Sequence, residues 1–245
     1  MNPRRTLATA RRVLTQLRRD HRTMALLLAV PSVLIALLHW VLSGRPASFQ
    51  QIGPPLLALF PFITMFITSS IAVLRERTSG TLERLLTTPV AKLDLLLGYA
   101  LAFGLLALVQ VGIATWLAVG ALGLEVRGGV PLLATIAALD ALLGMALGLL
   151  LSAFARTEFQ AVQFLPAVVF PQLLLCGLVI PREAMPRALE LLSNVLPLSY
   201  AIDGVSRVAQ LATVGQEVAV DLAVVGACVV ASIALGAATL RRRSA

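Results

Sequence analysis

Six apolar stretches divide this sequence, from Met24 to Gly44, Pro46 to Leu74, Leu95 to Leu124, Gly128 to Ala155 (broken only by Asp140), Phe159 to Pro181 and Leu222 to Leu240. Each is at least 19 residues long. A helix rises about 1.5 Å per residue and needs roughly 20 residues to cross a hydrocarbon layer, so each stretch is long enough for one span. Across all 245 residues only 13% are charged and 58% are hydrophobic, where a soluble domain carries about 25% charge. A water-soluble enzyme is excluded. The fold class expected is an all-α integral membrane protein with six transmembrane helices, over about 24–42, 54–74, 95–123, 130–154, 160–180 and 221–240. Residues 1–22 form a separate N-terminal element, and 23–245 form one six-span domain.

The net charge of +8 could point to a nucleic acid, but the placement of the charges argues otherwise. With the N-terminus in the cytoplasm, 15 of the 20 basic residues fall on the inner side, leaving Arg45, Arg127, Arg182, Arg187 and Arg207 outside. This positive-inside asymmetry places both termini in the cytoplasm of a cell (inner or plasma) membrane, and it needs no nucleic-acid partner. Doublets recur seven apart at Arg4 and Arg5, Arg11 and Arg12, and Arg18 and Arg19, with Leu7, Ala10, Val13, Leu14 and Leu17 between them. At about 100° per residue the two sets take opposite faces, which predicts an amphipathic helix at the membrane surface, arginines toward headgroups and leucines toward acyl chains.

Chemistry is scarce. Cys176 and Cys228 lie inside spans as packing residues, and neither His21 nor His39 has a second ligand at metal spacing. No nucleophile elbow is present, and the sole lysine, Lys92, follows Ala91 rather than the glycine of a phosphate-binding loop. Neither catalysis nor a bound cofactor is expected within this chain. Transport, a channel or a membrane scaffold remain.

The most polar stretch outside the N-terminus is the loop 75–93 between the second and third spans. Gly80 interrupts the incoming chain, Thr81 can cap a helix, Glu83 suits its first turn and Pro89 ends it. Leu82, Leu85 and Leu86 then share one face of a helix too short to stand alone. The run from Glu76 and Arg77 to Val90 reads E-R-x-x-G-T-L-E-x-L-L-x-T-P-V, and here the sequence resembles the permease subunits of type-2 ABC exporters, the daunorubicin-resistance type. Similar features follow at Leu149 to Arg156, Gln160 to Gln163, Met185-Pro186 and Leu196 to Ala201.

The resemblance implies two permease subunits per pore, identical or paralogous, and separate ATPase subunits that bind ATP and Mg on the cytoplasmic face. Residues 76 to 90 would include the coupling helix that receives the ATPase motion, with Glu76, Arg77, Gly80, Thr81, Leu82, Glu83, Arg84, Leu85, Leu86 and Pro89 as its residues. The substrates implied are hydrophobic drug-like or lipid-like compounds. A secondary transporter or channel without ATPase, and a membrane assembly factor of the haem-delivery type, are the alternatives.

Five residues are candidates for the pathway or its gate. Asp140 is the only acidic residue deep in a span, where a carboxylate costs at least about 2.5 kcal/mol; it either serves the pathway or is bonded to a neighbouring span. Pro166 and Pro171 interrupt the fifth span. Pro197 and Tyr200 lie in the outer segment 181–218, expected to form short re-entrant helices before the last span. Gly144 and Gly148 form a close-packing face.

Overall fold

A computed structural model describes residues 3–81, 91–213 and 215–239. Its elements are α1 (Pro3–Arg19), α2 (His21–Val41), α3 (Pro46–Thr78), α4 (Lys92–Thr115) continued by a π-helical turn (Trp116–Ala121), α5 (Val130–Ser152), α6 (Glu158–Leu175), a 3₁₀ turn (Arg182–Ala184), α7 (Arg187–Ser193), α8 (Pro197–Gln210) and α9 (Gln216–Thr239). Among the described residues there is no strand, and six helices have the length and composition to cross a membrane: α2, α3, α4 with its π turn, α5, α6 and α9. Helices close every backbone hydrogen bond within themselves, the condition for crossing lipid.

Helix ends follow capping chemistry more than hydropathy. The Asp20 carboxylate accepts from the Thr23 amide (3.1 Å) and hydroxyl (2.7 Å), starting α2 one residue after α1 stops. These bonds hold the Asp20 carboxyl below its usual pKa. Thr157 accepts from the Gln160 amide to start α6. Pro46 opens α3 at a position where its missing N–H costs nothing, so α3 runs for 33 residues and begins well before position 54. The connection from α2 is therefore only Leu42 to Arg45. At this end of the bundle, the Gln50 side chain ties α3 to the turn after α4, bonding Gly123 O and the Glu125 amide at 2.9 Å each.

Helix α5 is the hub. It packs against α3, α4, α8 and α9, and Leu133, Ile136, Ala137, Ala141, Leu143 and Ala146 are buried. Against α3 the approach is so close that a Cβ on Gly144 would strike the Phe62 carbonyl, and one on Gly148 the Phe66 carbonyl and the Ser69 hydroxyl. The small-residue face is thus used inside the chain. Helices α2, α6 and α9 bury little of their apolar length, leaving Leu37, Trp40, Phe170, Leu174, Val230 and Leu235 exposed.

Helix α1 packs one of its faces against the protein. Its Thr6, Thr9, Ala10, Val13 and Leu17 are buried, and it packs chiefly on the start of α4, where Gly98 makes room for Thr9. Leu7 stays on the exposed side, at 67%, while one of the six arginines of the doublets points into the protein instead of toward headgroups, Arg12. The cause is chemical: a buried carboxylate waits beneath it. Arg4, Arg5, Arg11, Arg18 and Arg19 remain exposed.

Candidate functional site

The residues expected in the loop after the second span divide into two groups. Glu76 and Arg77 belong to the last turn of α3, which continues to Thr78; Glu76 is buried and Arg77 is exposed. Glu76 is only 5% exposed. Arg12 of α1 grips its carboxylate with two bonds, of 2.9 and 3.0 Å, and the Tyr99 hydroxyl of α4 donates to the same carboxylate. Arg12 also donates to the Tyr99 oxygen at 3.2 Å and lies 5.9 Å from its ring centre. A bidentate, charge-assisted pair of this kind fixes geometry as well as energy. Three helices are thereby tied at one point.

Arg77 acts on a fourth. Its Nη1 donates to Ser152 O (2.9 Å) and Ala153 O (2.8 Å), satisfying carbonyls that the end of α5 leaves without partners. Two residues earlier, Arg75 pairs with Glu158 at the start of α6 through Nε (2.8 Å) and Nη2 (3.2 Å). Gly80 then turns with φ of +71°, a left-handed conformation that glycine adopts without strain. The Ser79 and Thr81 hydroxyls lie 3.0 Å apart. Leu82, Glu83, Arg84, Leu85, Leu86 and Pro89 lie outside the described residues. What the structure presents is the frame from which segment 82–90 springs: α3 on one side, α4 on the other, and α1, α5 and α6 fastened to its base.

The pathway candidates are not brought together. Asp140 is fully buried in α5, and neither carboxylate oxygen has a hydrogen-bond partner among the described residues, contrary to a role as a carboxylate bonded to a neighbouring span. Pro166 and Pro171 lie within α6, which runs on as one helix through both instead of breaking. Pro197 opens α8, and Tyr200 in its first turn donates to Asn194 O at 2.7 Å.

Around Tyr200 the structure assembles polar residues that the sequence reading counted only as outer charges or passed over. Arg182, 5.4 Å from the Tyr200 ring centre, pairs with Asp203 and donates to Asn194. Arg207 of α8 pairs with Asp221 (2.7 Å) and Glu217 (3.5 Å) of α9. A cavity of about 550 Å³ opens among these residues, with Gln51 and Pro55 of α3 on its other wall; Asp140 does not line it. Asp203 and Arg207 lie four apart on α8, yet Arg207 pairs with residues of α9. Only the packing of α8 on α9 redirects Arg207, and no local pattern announces that.

A polytopic helical bundle with a fastened base under one interhelical segment, and an ion-paired cavity at the opposite end, is the build of a membrane transport subunit. The profile of the ABC-2 type transporters matches residues 4–209, and the chain belongs to that family. It is 29% identical over 161 residues to the Probable multidrug ABC transporter permease YbhS of Escherichia coli (strain K12), covering 64% of this chain and 43% of that protein. With the Probable multidrug ABC transporter permease YbhR of the same organism it shares 32% identity over 152 residues, 61% of this chain and 41% of the relative. With ABC transporter G family member 20 of Dictyostelium discoideum it shares 28% over 160 residues, 64% and 22%. The matched part is less than half the length of each relative.

Proposed function

We propose that the chain is the transmembrane permease subunit of an ATP-driven exporter, working with a second permease subunit and with separate ATPase subunits that hold ATP and Mg. Both termini lie in the cytoplasm of a cell membrane, following the distribution of arginines. Segment 82–90 carries the coupling helix, with Glu83 and Arg84 as the charges that select the ATPase groove. The observation that carries this reading is the frame beneath it. Arg12, Glu76 and Tyr99 bind α1, α3 and α4 into one body, and Arg75 and Arg77 fasten that body to α5 and α6. A push on the segment then moves the bundle instead of bending a loop. The outer cavity, held by Arg182 with Asp203 and Arg207 with Asp221, forms the exit gate, with α7 and α8 as re-entrant helices at its rim. Hydrophobic drug-like or lipid-like compounds are the cargo, in keeping with the relatives named as multidrug permeases.

Affinity purification of the tagged full chain from its native host should bring down an ATPase with a Walker motif. Glu83→Ala combined with Arg84→Ala should leave insertion intact and sever ATP hydrolysis from export in reconstituted vesicles. Full export by the double variant, with the ATPase still bound, overturns the coupling role. Finding no ATPase overturns the larger reading.

A further inference from the structure

Where α1 meets α2, a groove of about 310 Å³ runs between α2 and the later turns of α3. Leu26, Leu27 and Val30 form one wall and Ile67, Ile71 and Ala72 the other. Three threonines line it as well, but their hydroxyls are already engaged, that of Thr23 with Asp20 at the mouth (2.7 Å). Thr68 donates to Thr64 O in its own helix (2.7 Å). Thr64 bonds Phe60 O and Pro61 O and accepts from the Gln110 amide (2.8 Å). The interior therefore suits a hydrocarbon guest and has little to offer a polar one.

Polar groups gather at one end only. Gln16, Asp20 and Arg75 form the mouth, and the exposed Arg18, Arg19 and Arg22 flank it in sequence. From Thr64 to Arg75 the helix rises about 16 Å, close to half of a hydrocarbon layer of about 30 Å. One leaflet of acyl chain is the matching length.

The geometry points to a lipid site: one acyl chain of an anionic phospholipid, drawn from the leaflet that borders α1, lies in this groove with its headgroup among the exposed Arg18, Arg19 and Arg22, Arg75 being taken by Glu158. A second copy of the chain is the weaker fit. A two-fold interface centred here would bring the exposed Arg18, Arg19 and Arg22 toward their own copies. The inference needs no ATPase and goes beyond the transport reading. It adds that the end of α1, two turns beyond Arg12 of the Arg12–Glu76 pair on the same helix, senses the lipid around it.

The test is native mass spectrometry of the delipidated full chain mixed with palmitoyl-oleoyl phosphatidylglycerol or phosphatidylcholine. The wild type is expected to hold one phosphatidylglycerol per chain in preference to phosphatidylcholine. Ala72→Trp and Val30→Trp fill the groove from opposite walls, and each should cut retention at least about tenfold, the order of effect of removing a few buried methylenes from an acyl chain. Thr68→Val should change nothing, because its hydroxyl serves its own helix. Arg19→Gln with Arg22→Gln should keep the lipid but lower the preference about fivefold per arginine. Leu26 is 64% exposed and tolerates exchange, so Leu26→Trp reads occupancy independently through quenching by chain-brominated phosphatidylglycerol. Folded tryptophan variants that retain the wild-type amount, equal binding of the two lipids, or an unquenched Leu26→Trp overturn the proposal. So does a Leu26→Cys chain that oxidises to a dimer while the wild type retains no lipid, since that assigns the groove to a second copy.

Discussion

Glu76 shows how much one residue decides. It is a carboxylate buried at the end of a span, and it is tolerated because Arg12 and Tyr99 supply three donor contacts to it. Removing one partner of such a pair leaves the other charge without compensation. Because the Arg12 side chain is about a third exposed, solvent softens that cost. Glu76→Ala should therefore destabilise the detergent-solubilised protein by roughly 2 kcal/mol, and Tyr99→Phe, which removes one donor, by about 1 kcal/mol. Both are read as shifts of the thermal midpoint. Asp140 is the opposite case, since it is fully buried with both oxygens unpartnered among the described residues. Exchanging it for a neutral amide of the same shape relieves part of the cost of placing a carboxylate there, so Asp140→Asn should raise the midpoint. A lowered midpoint would show that the carboxylate holds a partner.

At the scale of elements, the six spans were legible because an apolar run of that length has few other fates, and the structure contains a helix for each. Their ends were less legible. Hydropathy fades through Ser48, Gln50 and Gln51, yet α3 continues through them because Pro46 opens a helix and Gln50 finds partners across the turn at Gly123 and Glu125. The same limit explains Glu76 and Arg77, which read as loop by polarity and are helix by bonding. The amphipathic pattern of α1 was correct, but periodicity cannot say whether an apolar face meets lipid or protein. Here Gly98 on α4 and the buried Glu76 decide for protein. The pairing of Gly144 with Gly148 was legible as a close contact, and its partner, Phe62 to Ser69 of α3, required the fold. Backbone cannot retreat as a side chain can, so Gly144→Leu should prevent folding outright, exceeding the usual 1–3 kcal/mol of overpacking. Loss of the monodisperse peak in size-exclusion chromatography measures it. Gly226→Leu, at a position with open space around it, is the control and should leave the peak unchanged.

At the scale of the whole molecule, orientation governs everything else proposed. Thr15 on α1 and Glu125 in the turn after α4 are both exposed and lie toward opposite ends of the bundle. In intact cells, Thr15→Cys should resist a membrane-impermeant maleimide while Glu125→Cys reacts. The reverse pattern would move the frame around segment 82–90 to the outer face and remove its access to any ATPase. The length of α3 adds a mechanical consequence. Its 33 residues extend about 50 Å, well beyond the hydrocarbon layer of about 30 Å, with Glu76 near one end and Gln51 on the outer cavity near the other. The tight crossing at Phe62 and Phe66, where Gly144 and Gly148 press, falls close to the middle. Held to its neighbour at this crossing and again at the base through Arg77, α3 turns with α5 as one lever: a tilt of about 5° about the middle swings each end by about 2 Å in opposite senses, over a half-length of about 25 Å. Under the proposed coupling, a stroke delivered at the Glu76 end would arrive at the cavity beside Gln51 inverted and undiminished.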